Sequence, residues 1–180
     1  MLATHITRTV LADGRTLTVR PIQAWEAHLV DEVFEGMSDQ SRYARFLSPV
    51  PKLTSTMRRT LAAVDHDHHG AWVAEVDGTV AGIGRWVRYA ADPARAELAF
   101  EIADDFQGRG VGTVLLRVLL AAAKRAEVAR LECTVAPDNR RALALSKKIP
   151  SASWRWEDGL IVGTIPVARL ATPSGKPRQR

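Results

Sequence analysis

The residue types able to do chemistry crowd into positions 97 to 113. Glu97 and Glu101 lie four apart in Glu97-Leu-Ala-Phe-Glu-Ile102, whose alternation reads as a strand. Residues four apart on a strand share a face, so both carboxylates point one way and Leu98, Phe100 and Ile102 the other. Two carboxylates on a central strand are costly unless they face a polar cleft. A carboxylate at such a cleft can accept a proton from a reacting group. The alternative use for Glu97 is a salt bridge to Arg85 or Arg88 on the preceding strand.

Gln107-Gly-Arg-Gly-Val-Gly-Thr113 follows, between that strand and an apolar helix. Gly108, Gly110 and Gly112 let the backbone come close to a ligand. The first helical turn leaves N–H groups unpaired and carries the positive end of the helix dipole. Loop and helix start together form an anion cradle suited to a pyrophosphate. A glycine-rich turn with no ligand is the plainer alternative. The spacing is neither Gly-x-Gly-x-x-Gly nor Gly-x-x-x-x-Gly-Lys-Ser/Thr, which speaks against dinucleotide-binding and P-loop readings.

Other reactive residues are weaker candidates. Asp65, His66, Asp67, His68 and His69 cluster ahead of a strand, but no helix or strand spacing aims the three rings at one centre, and no metal is expected. Cys133 is the only cysteine. With no base visible nearby it reads as a small buried strand residue. Trp154 and Trp156 share one face of a hairpin, where they pack in the core or in a homodimer contact, or line an acceptor slot.

These residues need elements to hold them. Thr9–Leu11 and Thr16–Pro21 read as a hairpin turning at Asp13-Gly14. Trp25, Leu29, Val33 and Phe34 recur at helical spacing over 24–36, and Ser38 or Asp39 can cap a second helix through Phe46. A third helix runs over 54–64. Strands are predicted at 71–76 and 80–88, a loop at 91–95, and strands at 97–102 and 131–135. Helices over 113–127 and 138–148 and a closing hairpin at 153–157 and 160–167 complete the order. Middle strands linked so tightly must be antiparallel, whereas 97–135 is a parallel strand–helix–strand crossover. The fold class is a mixed α/β sheet of about seven strands, not a doubly wound one. Residues 1–170 should form a single domain, and 171–180 a disordered basic tail.

Phe100-Glu-Ile-Ala-Asp-Asp-Phe-Gln-Gly-Arg-Gly-Val-Gly-Thr-Val-Leu-Leu116 closely resembles the acetyl-CoA signature of the GNAT superfamily of N-acetyltransferases. Gln107, Gly110 and Gly112 fill its fixed positions, and the element order agrees over about residues 16 to 168. The resemblance implies a mostly antiparallel sheet with a central parallel pair, 97–102 and 131–135, splayed into a V-shaped slot, and helices on both faces. It implies that backbone groups of Phe100, Glu101 and Ile102 pair with pantetheine, that 108–113 hold the pyrophosphate, and that Asn139 contacts the cofactor; Asn139 also suits a helix cap. Ser41-Arg-Tyr-Ala-Arg-Phe46, with Ala96-Glu-Leu-Ala-Phe100, looks like the bacterial protein-lysine acetyltransferase branch. That resemblance makes Glu97 the general base for direct attack of an amine on the thioester. The chain departs from the pattern at Ser146, where many members carry a tyrosine as acid, and at Ile149-Pro-Ser151.

The implied reaction transfers an acetyl group from acetyl-CoA to a protein lysine or a small-molecule amine. A non-catalytic acyl-CoA-binding module that regulates a partner is the competing class. Net charge is +5 and the pI about 9.9, but the charge is scattered, without the basic stripe and interleaved aromatics of a nucleic-acid surface. No run of eighteen apolar residues suggests a membrane span. Met1–Val10 lacks the layout of a signal peptide, so a cytoplasmic location is expected.

Overall fold

The computed structural model describes residues 6–167. It is an eight-stranded sheet in the order β1-β2-β3-β4-β5-β6-β8-β7. The strands are β1 (Thr7–Val10), β2 (Thr16–Pro21), β3 (His69–Val76), β4 (Thr79–Tyr89), β5 (Asp92–Ile102), β6 (Arg130–Val135), β7 (Ser153–Glu157) and β8 (Leu160–Pro166). Helices α1 (His28–Glu35), α2 (Asp39–Phe46) and α3 (Ser55–Ala62) lie between β2 and β3 in the chain. Helix α4 (Val111–Arg125) crosses from β5 to β6, and α5 (Arg140–Ser146) follows β6. The basic tail expected at 171–180 lies outside the described residues.

Every neighbouring pair is antiparallel except β5 and β6. That parallel pair is short, holding only Arg95↔Arg130, Ala96↔Leu131 and Glu97↔Glu132. Beyond it each strand stays paired on its outer side. β5 follows β4 as far as Gly82↔Ile102, while β6 follows β8 to Val135↔Ile161. The sheet therefore parts between Leu98 and Cys133. A core lies on each face of the sheet. Helix α4 buries Leu115 and Leu119 with Trp86, Leu98, Leu131 and Ile165 on one face of the sheet, and α1 buries Leu29, Val33 and Phe34 with Val73 and Ile83 on the other. Burying each such side chain contributes roughly 1.5–3 kcal/mol.

The mixed α/β sheet expected from the sequence is found, with eight strands where about seven were expected. Two expectations need correction. The first helix starts at His28, and Trp25, counted in its apolar stripe, is 78% exposed ahead of it. Short-range contacts hold that segment as a turn: Glu26 accepts from the Gln23 N–H at 2.9 Å and pairs with Arg20, which is itself anchored by the distant Glu75. Residues 92–95, expected as loop, already belong to β5. The Arg88 guanidinium pins them by donating to the Pro93 carbonyl and, across the face, to that of Ala126.

Candidate active site

The gap between β5 and β6 opens into a cavity of about 250 Å³. Its walls include Arg45, Phe46 and Leu47 from the end of α2, Glu97 to Phe100 from β5, and Cys133 to Val135 from β6. Asn139, Ser146 and Trp154 close the far side. Trp154 fits there because its ring lies on Gly163, where a Cβ would come within 2.3 Å of the ring. Trp156, on the same face of the hairpin, is 69% exposed and does not line the cavity.

Main-chain polarity along β5 alternates. The Ala103 N–H donates to the Ala81 carbonyl beside the Gly82↔Ile102 pair, which fixes the phase of the ladder. Phe100 and Ile102 consequently turn their main-chain groups toward the gap; Glu101, also expected to pair with pantetheine, is corrected here, because the ladder turns its main-chain groups toward β4. The Gln107 carboxamide takes the last of these, donating to the Ile102 carbonyl at 2.8 Å and to Asp104 Oδ1 at 2.9 Å. Ser41 Oγ donates to the same Asp104 oxygen at 2.6 Å and accepts from Gln107 at 3.1 Å. The start of α2 is thus fastened to the loop that leads into α4.

That loop turns through left-handed backbone, with Gly108 at φ 75° and Gly110 at φ 97°. A side chain with a Cβ rarely adopts those angles. Gly110 caps α4 with no side chain over its N-terminus. The first N–H groups of the helix to find a partner are those of Thr113 and Val114, both on the Gly110 carbonyl, so Thr113, expected among the anion donors, is corrected to a group spent within the helix turn. The preceding donors, through Val111 and Gly112, are free for an anion. Lys148 Nζ lies 2.8 Å from Thr113 Oγ1 and adds a positive charge there. The Arg109 side chain turns away, to the Asp105 carbonyl at 2.7 Å and Asp13 at 3.4 Å, leaving its backbone to the cradle.

The two strand carboxylates meet different fates. Glu97 is exposed and lines the cavity, and its carboxylate makes no hydrogen bond or ion pair with another described residue. Glu101 is buried at 5% exposure, held by Arg45 Nε and Nη2 at 3.0 Å and Arg85 Nη2 at 3.0 Å. Burial raises the Glu101 carboxyl, but the Arg85 and Arg45 guanidinium groups outweigh it and hold it below the usual range. The expectation that both carboxylates need a polar cleft is corrected here, because ion pairing satisfies Glu101 instead. The salt bridge considered for Glu97 is likewise absent: Arg85 is taken by Glu101, and Arg88 lies on the other face.

Asn139 is the cap of α5, accepting from the Ala142 N–H at 3.0 Å, and it also lines the cavity. Ser146 Oγ donates to the Leu143 carbonyl at 2.8 Å, so its proton is committed to its own helix. Burial pushes the Cys133 thiol up to about 11, with the nearby Glu97 charge adding to the effect. The histidines diverge. His66 bonds the Ile22 carbonyl and packs edge-on to Trp72, His69 is buried between Ala63 and Arg85, and His68 is exposed. Among the described residues no His, Cys, Asp and Glu side chains converge as a metal site, and no helix is long and apolar enough to cross a membrane.

Sequence reasoning missed Arg45, although the Ser41–Phe46 segment was singled out, because nothing in its spacing says that it reaches Glu101. It also missed the pair of Arg95 and Glu132, since Arg95 falls in the segment read as loop.

Comparison with known proteins agrees with this architecture. The model of the acetyltransferase (GNAT) family matches residues 31–149. Acetyltransferase Pat of Mycolicibacterium smegmatis is 32% identical over 170 residues, covering 91% of this chain and 50% of that protein. An acetyltransferase of Pseudomonas aeruginosa is 33% identical over 119 residues, or 64% of this chain and 63% of that one. The chain thus spans about half the length of the first relative. The GNAT domain of Streptomyces lividans PAT superposes with a TM-score of 0.82 at 28% identity, covering 89% of this chain and 96% of that domain. A Salmonella typhimurium structure holding acetyl-CoA superposes at 0.69 and 15% identity, a likeness of fold alone. With its splayed central strands and the acetyl-CoA signature at Gln107–Thr113, the chain belongs to the acetyltransferase (GNAT) family.

Proposed function

We propose that the chain transfers an acetyl group from acetyl-CoA to a protein lysine, with Glu97 as general base. The carrying observation is that Glu97 presents an uncommitted carboxylate to the cavity at the point where β5 and β6 part. A lysine amine has a pKa near 10.4, so freeing its proton at pH 7 costs about 4.6 kcal/mol. Glu97 accepts that proton, and the neutral amine nitrogen bonds to the thioester carbon. The carbon–sulfur bond then breaks, coenzyme A leaves as thiolate, and the second proton released by the nitrogen reaches it through solvent, leaving an amide and a free thiol. Ser146 is no substitute for an acid, its proton being held by Leu143. Cys133 stays a thiol at neutral pH, which favours direct attack over an acyl-cysteine intermediate. Asn139 and the free donors at 108–112 hold the cofactor in this reading. The lysine acceptor is supported by the likeness to proteins named Pat.

The committed Ser146 proton is also the observation that favours a second reading, a non-catalytic module that binds acyl-CoA. A free-thiol assay of the native chain and Glu97→Gln across peptide, polyamine, aminoglycoside and amino-acid acceptors separates the two. Turnover with lysine peptides that collapses in Glu97→Gln supports the proposal. Acetyl-CoA binding without turnover of any acceptor supports the module, and preference for a small amine moves the acceptor class.

A further inference from the structure

We propose that Arg95 is a positioning residue for the base: by locking the neighbouring Glu132 carboxylate, it leaves Glu97 as the one uncommitted carboxylate facing the slot. This rests on Glu97 being the base. The parallel register sets Glu97 directly beside Glu132, on strands about 4.8 Å apart and on the same face. Two free carboxylates so placed would share a proton, and neither would be a dependable acceptor. Arg95, two residues before Glu97 and therefore on that face, prevents this. Its Nε and Nη2 reach Glu132 Oε1 and Oε2, each at 2.9 Å, a fork that matches both oxygens. The guanidinium is itself held over the Tyr89 ring, 5.3 Å from its centre.

The groups around Glu97 are these. Val87 lies opposite it on β4, with Tyr89 one step toward the turn and Arg85 one step away. Glu132 and Arg130 face it from β6, and Cys133 lies at the edge of the gap. Arg155 on β7 adds its charge at Glu132, and Arg45 lines the cavity from α2. Glu101, further along β5, is neutralised by Arg45 and Arg85. Glu132 is thus the nearest negative charge, and Arg95 is its bidentate partner. Arg95 makes it a neutral neighbour rather than a competitor.

The test is the pH dependence of kcat for the full chain with saturating acetyl-CoA and a lysine peptide. Arg95→Gln should move the acidic limb upward by roughly half to one pH unit, less at high salt because the site is open to solvent. Adding Glu132→Gln to it should bring the limb back. Glu132→Gln alone, which leaves an unpaired cation beside Glu97, should move the limb downward, so the two single variants shift in opposite directions. A purely structural pair would lower kcat in both without moving the limb. An unmoved limb in Arg95→Gln, or no return in the double variant, overturns the proposal while Glu97→Gln remains inactive. Should Glu97→Gln retain turnover, the base assignment itself fails.

Discussion

One strand carries two glutamates four residues apart, and they have become opposite things. Glu97 is the last paired residue before the sheet opens, and its carboxylate stands exposed and free in the cavity. At Glu101 the ends of α1 to α3 press on the same face, and the carboxylate is locked between two arginines. An ion that must react has to be uncommitted and reachable. An ion that anchors must be buried and matched, because it is costly to leave alone in an apolar place. Local sequence is nearly the same for both; the covering elements make the difference.

The sharpest way to break this contrast is at Glu97. Glu97→Gln should lower kcat at pH 7 by about 10² to 10⁴, with acetyl-CoA affinity little changed. The loss should shrink at high pH, where the amine is already neutral. Thermal stability should stay within about 0.5 kcal/mol of the parent, as for an unpartnered exposed residue. A melting curve and a kinetic pH series check both halves.

Glu101→Ala should do the reverse. It leaves Arg45 and Arg85 buried without a counter-charge and should cost about 3–5 kcal/mol of stability by denaturant unfolding. Catalysis per folded molecule should fall less than in Glu97→Gln. If Glu101→Gln abolishes turnover while Glu97→Gln does not, the roles are exchanged.

The anchor should also give the fold its response to acid. His69 donates from Nδ1 to the Ala63 carbonyl at 3.0 Å and faces Arg85 Nη1 at 3.3 Å. Burial and the Arg85 charge lower it from 6.5 to about 4. The unfolded chain therefore binds this proton more readily, and stability is lost as pH falls from about 6.5 to 4, by at most about 1.4 kcal/mol per pH unit. Glu101, lowered rather than raised, loses its contribution only below the ordinary carboxylate range. Unfolding of His69→Gln across pH 4–7 should show a flatter curve than the parent.

The smallest expected change is at the loop. Gly110→Val forces a branched side chain into left-handed backbone, costing roughly 1–2 kcal/mol. It should weaken acetyl-CoA binding about tenfold or more in calorimetry. Unchanged affinity in the folded variant would remove the loop from the cofactor site.

Much of this molecule was legible in its residues. Ser38 and Thr54 cap the helices they precede, accepting from Ser41 and Met57, because a cap is a contact over three residues. The glycines at 108 and 110 mark left-handed backbone for the same local reason. Spacing also put Glu97 and Glu101 on one face. It could not say which of them would be covered, since that depends on Arg45 and Arg85, 56 and 16 positions away. Nor could it tell that Arg95 belongs to the strand and grips Glu132, 37 residues on. Local periodicity and turn chemistry reside in a few consecutive residues, so the elements, their order and the left-handed glycine loop can be read from the chain alone. Burial and ion pairing are set by residues distant in the chain, so it took the packed sheet to leave the Glu97 carboxylate free in the cavity and to lock that of Glu101 between two arginines.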